Sequence, residues 1–158
     1  MNKSKWKIYT AGVLITEAVG ALSGWLTREG TKSFQSSVNK PPLTPPPAVF
    51  PIAWGILYAL MGVGAARIYM TEKTAERSKG LNLYIIQLVM NFFWSLIFFN
   101  AQTYGFALIW LLVLWALVLW MTLTFKKTDS LAAYLQIPYL LWLAFAAYLN
   151  LGVWYLNS

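Results

Sequence analysis

Five long apolar stretches alternate with short polar segments along the chain, at residues 8–27, 48–70, 81–101, 105–125 and 131–156. Each is close to the roughly 20 residues that a helix needs to cross a bilayer. Backbone N–H and C=O groups find no partners in lipid, so spanning segments of this length have to be helical. The pattern therefore predicts an all-α, polytopic membrane protein, with residues 1–158 forming a single domain built as a five-transmembrane-helix bundle.

Basic residues are distributed unequally between the two ends of the predicted bundle. One end would carry Lys3, Lys5, Lys7, Arg67, Lys73, Arg77, Lys79, Lys126 and Lys127. The other end would carry Arg28, Lys32 and Lys40. Cytoplasmic loops are enriched in Lys and Arg, so we expect a multi-pass protein of the cell membrane with a cytoplasmic N-terminus and an external C-terminus. This rule explains the net charge of +7 without a nucleic-acid partner.

The residue types that support most catalytic and metal chemistry are missing. The sequence has no Cys and no His, which excludes disulfides, thiol chemistry and the usual zinc and haem-iron ligands. We therefore expect no metal site and no required cofactor. In contrast, nine Trp, nine Tyr and nine Phe are too many for a lipid-facing coat, and several lie in mid-stretch rather than in interfacial belts.

A proline-rich segment leads into the second apolar stretch, in the sequence KPPLTPPPAVFPIAWGILYALMG at residues 40–62. Proline fixes φ and lacks an N–H group, so this run cannot be helix interior but can form a stiff cover that enters a helix at its first turn. We interpret the loop at residues 28–47 as the lid of a pocket. The predicted lid residues are Lys40, Pro41, Pro45, Pro46 and Phe50.

Small residues follow one face of the first predicted helix, at Gly12, Thr16, Gly20 and Gly24. Such a stripe allows a second helix to approach closely, either within one chain or across a dimer. Glu17 lies near the middle of this helix, where an acid is a candidate for function. The alternative, which the residues favour slightly, is a protonated or hydrogen-bonded internal glutamate.

Two later helices also carry polar or small residues at four-residue spacing. In the third helix Gln87, Asn91 and Ser95 form a polar stripe, which indicates either hydrogen bonds between helices or a pocket wall. In the fifth helix Ala146 lies between the bulkier Trp142 and Asn150. This gap is either a place for the edge of a flat ligand or ordinary helix packing.

Three segments resemble the translocator protein family, also called tryptophan-rich sensory proteins or peripheral-type benzodiazepine receptors (TspO/MBR). They are residues 40–62, NFFWSLIFF at residues 91–99, and PYLLWLAFAAYLN at residues 138–150. The resemblance covers nearly the whole chain. It implies a five-helix bundle, commonly a homodimer, with a cavity near the first loop for porphyrins, isoquinoline carboxamides and benzodiazepines, and for sterols in animal members.

The resemblance also implies which residues line the cavity. These would be Trp54, Tyr58, Asn91, Trp94, Trp142, Phe145, Ala146 and Leu149, with Trp54 and Trp142 matching the family's two recurrent pocket tryptophans. One departure concerns sterols, because animal members have a basic residue after a Tyr late in the fifth helix. No basic residue follows Lys127 here, which argues against sterol binding through that helix.

Three functional hypotheses follow from the residues and the resemblance. The first is a membrane protein that binds porphyrins such as protoporphyrin IX and drug-like hydrophobic ligands. Some family members degrade porphyrin in light, and in that case Trp54 and Trp142 would be the photochemically active residues. The second is a transporter of porphyrins or other amphiphiles, although Glu17 is nearly alone as an intramembrane charge. The third is a stress sensor that acts through a partner protein.

Overall fold

The computed structural model describes the backbone from Lys3 to Ser158 and the side chains from Ser4 onward. The side chain of Lys3, one of the basic residues used for the topology, lies outside this part. All regular secondary structure within it is helical. The elements are α1 (Lys3–Leu26), α2 (Arg28–Ser37), α3 (Val49–Tyr69), α4 (Ala75–Ser95), a π-helical turn (Leu96–Asn100), α5 (Tyr104–Lys126), α6 (Ser130–Tyr134) and α7 (Ile137–Leu156).

Four stretches of the described chain are helical, long enough and apolar enough to cross a membrane. They are Val49–Tyr69, Ala75–Asn100, Tyr104–Lys126 and Ser130–Leu156. The first predicted span corresponds to α1, which is equally long but less apolar because Glu17 and several Gly, Thr and Ser residues interrupt its aliphatic sequence. The all-α membrane bundle is therefore confirmed with four candidate spans, and α1 packs against them as an additional long helix.

The structure corrects two boundaries that the sequence predicted. The segment at residues 28–47, which the sequence predicted as a loop, contains the helix α2 in its first half. The third predicted helix begins at Ala75 instead of residue 81, because Thr74 caps it by accepting a hydrogen bond from the Arg77 N–H at 3.2 Å. Arg77 and Lys79 therefore belong to a helix and not to the preceding loop.

The last predicted span is not one continuous helix. It divides at Leu135 and Gln136 into the short α6 and the longer α7. Pro138 lies in the first turn of α7, where its missing N–H leaves no hydrogen bond unmade. At the other end of α6, the Asp129 carboxylate accepts a hydrogen bond from the Ala132 N–H at 3.2 Å. A proline and an acidic cap thus define a bend at this end of the bundle.

Asp129 also joins three helices through the neighbouring Arg67. The Arg67 guanidinium donates to both Asp129 carboxylate oxygens, at 2.6 and 3.3 Å, and to the Tyr9 hydroxyl at 3.1 Å. The hydrogen bonds from Arg67 lower the pKa of Asp129 below its ordinary value. The pair therefore contributes stability at neutral pH, and this contribution is lost as the pH falls below the ordinary aspartate pKa of about 3.9 towards the lowered value.

The small-residue stripe of α1 packs within the chain against α3. At Gly12 and Gly62 the two backbones are so close that a Cβ built on either residue would lie 2.5 Å from the carbonyl oxygen of the other. One turn further, Thr16 is fully buried and its hydroxyl is hydrogen-bonded to the Tyr84 hydroxyl of α4. At Gly20 the Tyr58 ring occupies the space of a side chain. From Gly12 to Gly20 the stripe is thus occupied by packing within one chain and is not available as a dimer seam.

We expect Gly62→Ala to destabilise the bundle, because backbone surrounds the new methyl group on the α1 side and cannot move away easily. Overpacking of this kind costs about 1–3 kcal/mol of unfolding free energy. Thermal denaturation of the purified protein in detergent would measure the change. Gly24→Ala is the matched control, since its Cβ would meet no atom within 4 Å. An unchanged melting temperature for Gly62→Ala would show that α1 and α3 are not in contact there.

Candidate functional site

A cavity of about 940 Å³ lies between α1, α3, α7 and the end of α4. The helix α2 and the proline-rich segment after it cover this cavity. Its lining residues include side chains from all of these elements and from the π-helical turn. Sites for small molecules typically have about 300–1,000 Å³, so the volume is suited to a large, flat or branched ligand.

Aromatic rings from α3 and α7 form one wall of the cavity. Trp54 stacks on Tyr58 with the ring centroids 5.3 Å apart and an interplanar angle of 28°. The same indole meets Trp142 edge to face, at 6.4 Å and 87°. Phe50, from the first turn of α3, meets Trp142 at 6.0 Å. These contacts hold the two tryptophans in fixed orientations at the cavity surface.

A second aromatic group forms where α4 ends in its π-helical turn. Trp94 stacks on Phe98 at 5.0 Å, and Phe34 of α2 contacts both Phe98 and Phe99 at 5.4 Å. The indole N–H of Trp94 donates to the Asn150 side-chain oxygen at 3.2 Å. π-Helical turns often occur at functional sites, and this one brings both phenylalanines into the lining and provides the surface on which α2 rests.

A chain of hydrogen bonds supports Tyr58 from behind. The Tyr58 hydroxyl donates to the Asn91 side-chain oxygen, the Asn91 amide donates to the Tyr139 hydroxyl, and that hydroxyl donates to the Gln87 side-chain oxygen, each at 2.7 Å. All four side chains are buried. A buried polar network with its partners satisfied holds its members rigidly, so the chain fixes the ring at the cavity floor.

The lid is attached to the end of α7. The Asn157 side chain accepts from the Asn39 N–H at 3.0 Å and donates to the Asn39 carbonyl at 2.8 Å. The Tyr148 hydroxyl donates to the Pro42 carbonyl at 2.6 Å. Pro41 is buried against Gly152, where a Cβ would lie 2.5 Å from the proline ring. These contacts hold the proline-rich segment across the cavity without regular secondary structure.

Three basic side chains line the mouth of the cavity. The Lys40 ammonium donates to the carbonyls of Gln35 and Val38, at 3.2 and 3.0 Å, and lies over the Phe34 ring. Arg28 donates to the Trp25 carbonyl at 2.7 Å, and its guanidinium stacks on the Trp25 ring. Lys32 lies 3.9 Å from the exposed carboxylate of Glu29. The mouth is therefore positively charged.

In the described part of the chain, no group of three Cys, His, Asp or Glu could hold a metal ion.

Small residues of α1 and α3 face the open space of the cavity. The two helices are in close contact at Gly12 and Gly62, but at Gly24 and Gly55 a Cβ on either helix would meet no atom within 4 Å. Both of these glycines line the cavity, together with Ala21. The part of the lining that these residues form is therefore free of bulky side chains.

Most of the residues named from the sequence come together around this cavity. Those in the lining are Trp54, Tyr58, Trp94, Trp142, Ala146, Leu149, Lys40, Pro45 and Phe50. Asn91 lies behind Tyr58 and outside the lining, as part of the hydrogen-bonded chain. Phe145 lines a separate shallow groove with Ile56 and Leu141. In the lid, Pro41 packs on α7, and Pro46 is exposed outside the lining.

The α1 side of the cavity was missed by the residue predictions. Glu17, Ser23 and Thr27 line it from α1, and Thr31 and Phe34 line it from α2. Glu17 was noted either as a functional acid or as a protonated or hydrogen-bonded internal glutamate, and it makes no hydrogen bond with a described residue. The spacing of Trp94 and Phe98, four residues apart in the helical segment at residues 91–99, could have placed Phe98 beside the tryptophan.

Comparisons with known proteins agree with this architecture. The profile of the TspO/MBR family matches residues 12–156. The chain is 34% identical over 141 residues to the tryptophan-rich protein TspO of Chlorobaculum tepidum, covering 89% of each protein. It is 35% identical over 150 residues to the human translocator protein, with 90% of this chain and 86% of the human protein covered. It is also 36% identical over 121 residues to the tryptophan-rich sensory protein of Cereibacter sphaeroides, with 77% and 75% covered. The apolar helices, the aromatic cavity and these likenesses together show that the chain is a multi-pass membrane protein that belongs to the TspO/MBR family.

Proposed function

We propose that the cavity binds porphyrins, such as protoporphyrin IX, and drug-like hydrophobic molecules. The observation that carries the proposal is the combination of two groups of aromatic side chains in the lining with a basic mouth. A porphyrin is a flat π-system with two carboxylates on one edge. Its faces match the stacked pairs formed by Trp54 with Tyr58 and by Trp94 with Phe98.

The carboxylates would lie at the mouth of the cavity. Lys40 is held there by two carbonyl groups and the Phe34 ring, so its ammonium group is oriented before a ligand arrives. Arg28 and Lys32 line the same rim. Charge-assisted hydrogen bonds to carboxylates are about twice as strong as neutral ones. The mouth would therefore fix which edge of the porphyrin faces outward.

We further propose that a porphyrin bound in this position can be degraded in light. The porphyrin would absorb the light and transfer the energy to dioxygen, and the activated oxygen would attack the porphyrin or a nearby indole. Trp54 and Trp142 are the indoles held against each other at the cavity surface, and the buried N–H of Trp142 has no hydrogen-bond partner in the described structure. Their role would be to provide easily oxidised rings next to the ligand.

The proposal includes the topology. We propose that α1 crosses the membrane as a fifth span, with the N-terminus in the cytoplasm and the C-terminus outside. Support comes from the hydrogen bond between Arg67 and Tyr9 and the contact at 4.0 Å between Lys127 and Glu76, which place the start of α1 and the basic end segments at the same end of the bundle. The mouth would then face the outside.

Lys40→Gln should weaken the binding of protoporphyrin IX by about two- to fivefold, which is the range expected for a partly exposed ion pair. The binding of the dimethyl ester of the same porphyrin should be unchanged, because it has no carboxylates. Absorbance titrations of purified protein would give both affinities. Lys73→Gln, in the loop at the opposite end, is the control. Equal losses for the acid and the ester would mean that Lys40 acts only through the position of the lid.

Trp54→Phe and Trp142→Phe should slow the light-dependent bleaching of bound porphyrin severalfold. Phenylalanine keeps an aromatic face for stacking. The binding free energy should therefore weaken by less than the loss of a whole aromatic pair, which costs about 0.5–1.5 kcal/mol. Porphyrin absorbance under illumination, compared with dark samples at matched occupancy, would report the rate. Trp120→Phe is the control, since Trp120 lies half-exposed on α5, away from the cavity. If both cavity variants bleach porphyrin at the native rate, the tryptophans only line the site.

A reporter that is active only outside the cytoplasm should be active when fused after Ser158 and inactive when inserted between Met70 and Thr74. The insertion is placed there because Arg77 and Lys79 lie within α4. An enzymatic reporter such as alkaline phosphatase would make the measurement. The reverse pattern of activity would show that the orientation is inverted, and activity at both positions would show that α3 and α7 end on the same side.

A further inference from the structure

The side chain of Glu17 is an acid without a partner in an apolar cavity. It lies about midway along α1, it lines the cavity, and no residue of the described chain forms a hydrogen bond or an ion pair with it. Acidic side chains within membrane segments are expensive to place there and usually pair with another group or bind a ligand. The site thus contains an acidic side chain that has no partner among the described residues.

Aromatic side chains line the same cavity as Glu17. Gly20, nearly one turn further along α1, is in contact with the Tyr58 ring. Tyr58 stacks on Trp54, which in turn meets Trp142. Aromatic faces attract organic cations through their ring quadrupoles, as in the aromatic cages that bind quaternary ammonium groups. A carboxylate beside such faces therefore suits a protonated amine.

The basic residues of the same cavity do not neutralise Glu17. Arg28 begins the next helix, and the end of α1 at Leu26 is already about 14 Å from Glu17 along the helix axis, at 1.5 Å per residue. Its guanidinium donates to the Trp25 carbonyl, and the Lys40 ammonium donates to two carbonyls of the lid. Lys32 faces Glu29. The positive charges are concentrated at the mouth, while the negative charge lies deeper.

We propose that this cavity also binds lipophilic amines, with the protonated nitrogen paired to Glu17 and the apolar part of the molecule against Tyr58 and Trp54. This function goes beyond porphyrin binding, because it uses the opposite charge and a different depth of the cavity. Amines of this kind partition into bilayers. Ala21, Gly24, Pro51 and Gly55 are uncharged lining residues of the same cavity, so the apolar part of such a molecule can also lie against them.

The proposal is tested with two probes of nearly the same shape, naphthylmethyl dimethylamine and its neutral carbon analogue isobutylnaphthalene. Binding to the full-length protein in lipid nanodiscs would be followed through tryptophan fluorescence, with empty nanodiscs as the correction for partitioning. The variant is Glu17→Gln, which keeps the shape of the side chain and removes its charge. The matched control is Glu29→Gln, an exposed acid on α2.

We expect the native protein to bind the amine about tenfold more tightly than the hydrocarbon or better, in line with hydrogen bonds to charged groups. Glu17→Gln should abolish this difference by weakening the amine alone, and Glu29→Gln should leave it unchanged. The proposal is overturned if the native protein binds both probes equally. It is also overturned if Glu17→Gln leaves the amine affinity intact or lowers both affinities together. None of these outcomes depends on whether porphyrin binds, so the two functions are tested separately.

Discussion

The contact between the backbones of α1 and α3 at Gly12 and Gly62 determines where the cavity can form. The two helices can approach to this distance only because neither residue has a side chain. About one turn before Gly62, the larger Tyr58 takes the place of the missing Cβ of Gly20, and at Gly24 and Gly55 a Cβ would meet only open space. A tight contact at one end and open space at the other are thus consequences of the same order of residue sizes along α1 and α3.

Hydrogen bonds on two sides of the cavity fix the helices and the lid around that space. Below, the hydrogen-bonded chain through Tyr58, Asn91 and Tyr139 links α3, α4 and α7. Above, Asn157 pairs with the backbone of Asn39, so the lid is held by the last helix of the chain. The cavity is therefore built from α1 to α4 and α7, which lie far apart in the sequence within the range 12–156 that the family profile matches.

The sequence predicted the helices well where lipid imposes the requirement, because long apolar stretches have few alternatives in a bilayer. It failed at α2, whose ten mostly polar residues carry no such signal and whose Phe34 packs on Phe98. The spacing of Gln87, Asn91 and Ser95 correctly placed them on one face. It could not show that this face is buried at Asn91 and reaches the cavity only at Ser95, because periodicity contains no information about depth.

The close packing at Gly12 and the open space at Gly24 mean that a tilt of α1 about Gly12 would move the lid end of this helix furthest. Gly24 lies twelve residues beyond the pivot at Gly12, about 18 Å along the axis, so a tilt of about 10° would displace it by about 3 Å. Such a tilt would stretch the hydrogen bond from the Asn100 amide to the Leu26 carbonyl, now 3.0 Å long, and would leave the chain below Tyr58 untouched. A rigid-body tilt of α1 would thus change the width of the cavity at its lid end.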